Sequence, residues 1–581
     1  MTADPALHDE EAVAAWLSEL APAEREGALE SAALGHGLQR RADEQLPGSR
    51  SQGTWYTPRT LVACVLDAAL TPELLRSGTV CDTACGSGNF LVQAAERMLG
   101  NGRSPEDVAR SVHGCDIDPK AVALARVRLQ RLVGGSRVQW QRSVWCGDAL
   151  GAGAWAGRGL FDAVIGNPPF LGQLKSGSAA TREQSAVLKQ RFGGVVKGYA
   201  DTACAFLMLA CECAAGAGRI ALVLPMSLLA SADAEPVRAF VNERFSVVEC
   251  LVPPVRVFGG GVPTVVLVLR KRKSPLHAEP ARIGAPELVR VRRVRGQGEH
   301  RALTVGAEPG ELRWSAMPAA LQGVPHVEWG GQGGGTLADV ATASADFRQQ
   351  YYGLRGHLKE WADASSMPDP NATGHAAVVT VGSIDAAECR WGRRDVRLLG
   401  QSFVAPVVDV QAMRADSATS RWLDDRMVPK IVVPTQTRVL EAWVDERGHA
   451  LPSTPLISVM PRRANDLWLV AAAILAPAAS AVAWWRHAGA ALSPTAIKLS
   501  ARQLLELPIP RSAEEWRRGA RVLAAWQAAG DPSERTAHAA EFAEVMDGAC
   551  GVSGGRAHAG RELREWWLHQ VEARKPGRVF C

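Results

Sequence analysis

The spacing of apolar positions divides this chain before any chemistry is considered. Over residues 1–48 the period is helical and the faces are polar. Acid-rich Asp9-Glu10-Glu11 precedes Val13, Trp16, Leu17 and Leu20, with Leu29 and Leu38 on a later turn or helix. A helix is predicted from Arg59 to about Leu70, with Pro58 at the first helical position and Thr57 either its cap or, with the free amides of the first turn, a hydroxyl that meets a ligand carboxylate. From Thr79 short apolar strands alternate with amphipathic helices. Strand Thr79–Asp82 leads through a glycine turn to helix Leu91–Leu99, and the strand ending at Val112–Asp116 leads to helix Lys120–Leu132. A strand near Val144-Trp145 and another at Phe161–Gly166 follow, with later strands at Gly218–Pro225 and Val265–Leu269. Such alternation predicts a parallel sheet covered by helices.

Trp329-Gly330-Gly331-Gln332-Gly333-Gly334-Gly335 interrupts the pattern and reads as a linker. A new unit starts at Thr336 and includes the segments 346–354 and 381–385 and the β-like Lys430–Pro434. Gln349-Gln350-Tyr351-Tyr352 within it suits either an edge strand or a surface that reads base edges and phosphates. Residues 511–548 are helical, with Trp516, Leu523, Trp526 and Phe542 on apolar faces, and Trp566 and Trp567 sit on a short helix in the basic tail. The expected organisation is a helical cap at 1–48, a main α/β domain at 49–275, an extension and linker at 276–335, an α+β unit at 336–510 and a helical region at 511–581.

Composition narrows the class. The 581 residues are 47% hydrophobic and 22% charged, a globular balance with length for several domains. A net charge of +5 permits nucleic-acid binding without requiring it. The twelve cysteines include no CxxC pair, so neither a disulfide framework nor a metal site is expected. Residues 1–20 lack a basic n-region and no apolar stretch is long enough to span a bilayer, which predicts a cytoplasmic protein.

The candidate chemistry gathers at the carboxyl ends of the predicted strands, where open α/β sheets place their ligands. Asp82 ends the first strand, and a carboxylate there suits an ammonium. The following Gly86-Ser87-Gly88 turn lacks the third glycine of a dinucleotide fingerprint, because Leu91 stands in its place, so pyrophosphate binding is not favoured. Asp116 ends the second strand, where a ribose hydroxyl is bound in nucleotide folds, and Asp118 before Pro119 suits a helix cap. Asp148 follows the third strand and suits an adenine amino group. The fourth strand ends in Asn167-Pro168-Pro169-Phe170. Its two prolines hold the chain extended, its amide and carbonyls accept from an amine, and Phe170 offers a flat face to a planar ring. Four strands in order thus present an acid or amide on one rim. Between Phe170 and Tyr199, Lys175, Arg182, Lys189, Arg191 and Lys197 form a basic, glycine-containing segment that is either solvated or closes over a phosphate-bearing substrate.

Asp82-Thr83-Ala84-Cys85-Gly86-Ser87-Gly88-Asn89-Phe90, Gly114-Cys115-Asp116-Ile117-Asp118-Pro119, Gly147-Asp148 and Asn167-Pro168-Pro169-Phe170, in that order, resemble the S-adenosylmethionine-dependent amino-methyltransferases. The preceding Thr57-Pro58 is similar to the cofactor segment of the gamma-class DNA adenine-N6 enzymes, and the resemblance spans roughly residues 50–272. It implies a Rossmann-like α/β methyltransferase domain, followed by a C-terminal α+β target-recognition domain that the segment Ile497–Pro510 resembles at its close. By the same resemblance Asn167, Pro168, Pro169 and Phe170 are catalytic, and Phe258 is a second ring against a flipped base. The resemblance also makes Thr57, Pro58, Asp82, Ala84, Gly86, Gly88, Phe90, Asp116, Ile117, Asp148 and Ala149 the residues that would hold S-adenosyl-L-methionine.

The expected activity is methylation of an adenine N6 in duplex DNA for self-marking in restriction-modification or phage defence, with cleavage left to a separately encoded protein. Its rivals are an RNA or protein amine methyltransferase and an idle DNA-binding subunit of a defence complex.

Overall fold

The protein is described here from a computed structural model. It describes residues 57–134, 140–151, 153–170, 188, 190–195, 202–253, 263–273, 287–293, 302–307, 314, 316–327, 329, 334–346, 348–488, 495–552 and 557–572, together with Glu11 and Val13. Most of the predicted cap, the segment 171–187, Phe258, much of the glycine linker and the end of the basic tail lie outside the described residues, as do the side chains of Arg348 and Gln349. The chain divides into two compact units, Met1–Met317 and Pro318–Cys581.

The first unit is built on one nine-stranded sheet. Its strands are β1 (Val80–Asp82), β2 (Val112–Asp116), β3 (Val144–Cys146), β4 (Phe161–Gly166), β5 (Ala214–Pro225), β6 (Phe245–Val252), β7 (Thr264–Lys271), β8 (Glu287–Arg293) and β9 (Ala302–Ala307). They lie in the order β3-β2-β1-β4-β5-β7-β6-β8-β9. The first five are mutually parallel, and β7 inserts antiparallel between β5 and β6. β1 is buried throughout and β4 nearly so, as strands covered on both faces must be.

Three helices cover one face: α1 (Arg59–Ala69), α2 (Asn89–Gly100) and α3 (Pro119–Val133). Val62 and Leu66 of α1, Leu91 and Met98 of α2 and Leu129 of α3 share a core with Val80, Ile165 and Val223 of the sheet. The intervening Val164 and Leu222 point to the other face, where α4 (Thr202–Cys213) packs on β4 and β5. Ten of the residues of α4 are buried, so it is apolar all round and behaves as a core helix. Asp118 caps α3 as expected, accepting from the Lys120 amide at 3.0 Å with Pro119 in the first turn. The sheet also runs beyond residue 275. β8 pairs with β6 and then with β9, so residues expected to form an extension complete the sheet edge.

The second unit contains two four-stranded sheets. Strands Ala341–Ala345, Leu456–Pro461, Lys430–Pro434 and Trp443–Asp445 form one, and Leu358–Glu360, Pro406–Asp409, His375–Val379 and Ala450–Pro452 form the other. The helical region after 511 is not separate from them. Trp526, Phe542 and Trp567 share a core with Ile431, Ile457 and Val459 of the first of these sheets. Gln350, Tyr351 and Tyr352 lie in a short helix, Arg348–Gly353, rather than an edge strand. Among the described residues no single helix is long and apolar enough to cross a membrane. The apolar pair Ala464–Leu475 and Pro477–His487, bent by 58°, is mostly buried in this core.

That core also encloses an ion pair. Lys430 Nζ donates to Asp445 Oδ2 at 2.6 Å, with the lysine side chain fully buried. Burial pushes the lysine pKa down, and the adjacent carboxylate opposes the shift. Asp445 also accepts from the His449 and Ala450 amides at 3.1 and 3.0 Å. Lys430→Ala leaves the carboxylate without its cation and should cost about 3–5 kcal/mol. Denaturant titration followed by tryptophan fluorescence measures this, and a loss below about 1 kcal/mol would reduce the pair to the value of a surface bridge.

Candidate active site at the carboxyl rim of the parallel strands

The strand order reverses at β1, since β2 lies on one side of it and β4 on the other. A crevice opens at the carboxyl ends of strands at such a switch point, and Asp82 and Asn167 stand there.

Asp82 is 1% exposed. Its Oδ1 accepts from the Ala84 amide at 3.0 Å, while Oδ2 is buried without a hydrogen-bond partner. Desolvation pushes its pKa up to about 8. The Ala84 amide pulls the other way, and the charge of Asp116 raises it further. A buried carboxyl oxygen left unmatched is costly unless something arrives to match it, and a ligand ammonium would do so.

Gly166, the last residue of β4, makes room for that carboxyl. A Cβ there would lie 2.5 Å from Asp82 Oδ1 and 3.1 Å from its Cγ, and the glycine has a φ of 149°. The next residue, Asn167, is half-buried, and its Nδ2 donates to Thr57 Oγ1 at 2.9 Å. Thr57 is 5% exposed. It does not cap α1 as the sequence suggested: Pro58 is the N-cap, and the cap makes no side-chain hydrogen bond. The hydroxyl is turned to the strand end instead. Pro168 is buried, and Phe170 is half-buried with part of its ring against the core beneath α1 and α2.

The glycine turn is held from several sides. Gly86 and Gly88 adopt φ of 53° and 83°. A Cβ on Gly88 would come within 2.9 Å of the Ala125 Cβ, so the turn lies close on α3. Asp116 Oδ2 accepts from the Gly86 amide at 2.8 Å, and its Oδ1 from the Asp118 amide at 3.0 Å. Arg128 donates to the Ser87 carbonyl and to Asn89 Oδ1 at 2.5 and 2.8 Å. Asp116 is therefore already bonded into the turn.

Ile117, beside Asp116, is 61% exposed, an apolar side chain presented at the rim. Asp148 is exposed, and its Oδ1 accepts from the Leu150 amide at 2.9 Å; Ala149 is buried. Phe90 is 3% exposed within the core, which gives it a packing role under the turn. Arg191 belongs to the basic segment that the sequence leaves either solvated or closing over substrate. Its guanidinium instead donates to the Leu150 and Gly151 carbonyls at 2.7 and 3.0 Å and pairs with Glu212 at 2.9 Å, so it braces the loop after Asp148. Gly166, Arg128 and the Thr57–Asn167 bond escaped the sequence reading. Their partners lie 84, 41 and 110 residues away, and no local pattern encodes such pairings.

Among the described residues no cluster of His, Cys, Asp or Glu is arranged to hold a metal ion.

Comparison with known proteins agrees with this fold. Residues 42–287 match the family model for N-6 DNA methylases. The Type II methyltransferase M.VspI of Vibrio sp. (strain 343) is 31% identical over 119 residues, 20% of this chain and 26% of that protein. The Type I restriction enzyme MjaIX methylase subunit of Methanocaldococcus jannaschii is 30% identical over 118 residues, 20% of this chain and 19% of that protein. The matched segments thus span about a quarter or less of these relatives. The solved structure of the Type IIL restriction-modification enzyme MmeI in complex with DNA aligns over 88% of this chain and 75% of that one, with TM-score 0.55 and 12% identity, a likeness of fold. The α/β methyltransferase fold expected from the sequence is the fold observed.

Gly166→Ala should cost about 1–3 kcal/mol, since it combines a strained φ with a clash against a buried carboxyl. Gly86→Ala meets nothing within 4 Å and should lose only the left-handed backbone preference, about 1 kcal/mol. Thermal melts of the two variants compare them. Equal losses would mean that Asp82 does not need the space Gly166 leaves.

Proposed function

We propose that this N-6 DNA methylase domain makes the chain a site-specific DNA adenine-N6 methyltransferase of the gamma class. It would transfer methyl from S-adenosyl-L-methionine to a flipped-out adenine, in the setting of restriction-modification or phage defence. The observation that carries the reading is the pairing, across one strand seam, of a buried carboxyl with an unmatched oxygen at Asp82 and the amide of Asn167 ahead of two prolines and an aromatic ring. The unmatched Asp82 oxygen fits the ammonium of the cofactor's amino-acid end, and exposed Ile117 fits a face of its adenine.

S-adenosyl-L-methionine supplies, when bound, a methyl group made electrophilic by a sulfonium. The protein's part is to present an amine whose lone pair is normally spread into the base. Asn167 Oδ1 and the Pro168 carbonyl accept the two amine protons, which favours a pyramidal nitrogen with its lone pair free for in-line attack. In-line transfer would form the N–C bond as the donor's C–S bond breaks, leaving S-adenosylhomocysteine, and the surplus amine proton would pass to water, since the two amide oxygens orient it without being basic enough to keep it. Catalysis is then positioning and preorganised polarity, with no covalent protein intermediate. Extruding a base costs a few kcal/mol, and stacking on Phe170 offsets part of it. The second unit is assigned the reading of the target sequence, with Tyr352, 55% exposed, a side chain available for contact. Tyr351 is less available, because its hydroxyl accepts from the Leu399 amide at 2.9 Å.

Incubation with labelled cofactor and unmodified duplex DNA, followed by nucleoside separation, should yield N6-methyldeoxyadenosine. Label in RNA or protein instead would favour the rival amine-methyltransferase reading. Asn167→Ala should reduce transfer about 100-fold or more while DNA binding persists. Turnover near that of the unaltered protein would remove Asn167 from the chemistry.

Asp82 gives a second, independent test. With its pKa raised to about 8 in the free protein, the carboxyl holds a proton at neutral pH. A bound ammonium favours the ionised form, so binding must release that proton, and affinity rises with pH until about 8. Calorimetry of S-adenosylhomocysteine binding in buffers of different ionisation enthalpy should show proton release at pH 7 that Asp82→Asn abolishes. Equal release by both proteins would place the ammonium elsewhere.

A further inference from the structure

The Thr57 hydroxyl stands at the amide end of this site. Its oxygen accepts from Asn167 Nδ2 at 2.9 Å, and it caps no helix. A threonine hydroxyl has one proton and two lone pairs, so an oxygen that accepts from the amide still has its proton to give. Asn167 follows Gly166 directly, and Gly166 is the residue whose missing Cβ accommodates the Asp82 carboxyl. Asp82, Gly166, Asn167 and Thr57 therefore form a continuous line of contacts across the β1–β4 seam. In the functional reading above, an amino acid whose ammonium meets Asp82 carries its carboxylate one carbon away, and Thr57, bonded to the residue after Gly166, is the hydroxyl offered to it.

We propose that Thr57 is a positioning residue that couples occupancy of the amino-acid end of the cofactor pocket to the orientation of the Asn167 amide. This rests on the function proposed above. The hydroxyl has two useful settings. If it donates to a carboxylate, its lone pair is left for Asn167 Nδ2, and the amide oxygen faces the position of the substrate amine. If it donates to the amide oxygen, the amide is turned over and presents its NH2 group, a donor set against another donor. A bound carboxylate selects the first setting, because an anion accepts and cannot donate. Filling the cofactor pocket thereby prepares the amine site, and by linkage a correctly held amine strengthens the cofactor.

The test measures binding as well as turnover. DNA carrying the site identified by methylation is titrated with and without saturating S-adenosylhomocysteine, using the unaltered protein, Thr57→Ser, Thr57→Val and Thr57→Ala. S-adenosylhomocysteine should tighten DNA binding about tenfold, within the usual range of coupling between sites. Thr57→Ser should preserve that ratio, and Thr57→Val should bring it close to one while lowering kcat more than it raises the KM for DNA. Thr57→Ala gives the same comparison without a β-branched replacement, should the valine variant fold poorly. A coupling ratio and kcat unchanged in Thr57→Val or Thr57→Ala would overturn the relay, as would loss of both in Thr57→Ser. Failure of the unaltered protein to bind S-adenosylhomocysteine would instead overturn the underlying functional reading, so the two failures are distinguishable.

Discussion

The close approach of the Asp82 carboxyl to Gly166, across the seam between β1 and β4, is the constraint on which the site depends. It requires parallel strands in register, with Asp82 opposite Ile165. It also requires a residue without a Cβ directly after Ile165. The result is a carboxyl withdrawn from water and lacking one hydrogen bond. Folding alone does not favour such a group. It is maintained because strands buried on both faces leave it nowhere to turn, and because the Ala84 amide satisfies one oxygen. The surrounding turn shows the same economy of partners. Asp116 and Arg128 hold the glycine backbone from opposite ends of the turn, and Gly88 brings that turn down onto α3.

Much of this was legible in the sequence, for reasons that are local. Val80-Cys81-Asp82 and Phe161–Gly166 are apolar runs closed by a polar group, and such runs make buried parallel strands whose ends face a rim. Asp118-Pro119 is a cap and first turn by its own chemistry. What the sequence concealed was non-local or a matter of competition. Thr57 has the right side chain and position for a helix cap. Pro58 stands at the cap instead, and the Thr57 oxygen accepts from the amide of Asn167, 110 residues later. Arg191 sits in a basic segment, yet three successive backbone carbonyls and Glu212 draw its guanidinium inward. Residues 287–293, which the sequence leaves in an extension, join the main sheet only through pairing with β6 and β9. Gln350-Tyr351-Tyr352 has the composition of an edge strand and is held in a helical turn, with Tyr351 bonded to the amide of Leu399.

The second unit shows the same limit at a larger scale. A boundary near 511 follows naturally from a change to helical period. The apolar faces of Ala513–Ala528 and Pro532–Cys550 nevertheless have no core of their own and share one with the sheet that carries Lys430. A helix period reports the width of an apolar stripe and says nothing about which sheet will cover it. The enclosed Lys430–Asp445 pair fixes two neighbouring strands of that sheet in one register. Such a pair contributes specificity more readily than stability.

Within the proposed function, an amide rather than a carboxylate after Gly166 also bears on Asp82. Asp82 already carries a raised pKa, to which Asp116 contributes. A carboxylate in place of the Asn167 amide would add like charge to the same rim, and like charge favours the neutral form of Asp82. It would then hold an ammonium less well. A neutral asparagine accepts a proton's hydrogen bond without imposing that charge, and its other end is free to be oriented by a neighbour such as Thr57. Within the proposed function the two ends of the site are therefore not independent choices. A neutral amide at the amine end adds no charge to the proposed cofactor end, and an uncharged amide needs a partner to decide which of its two faces is offered.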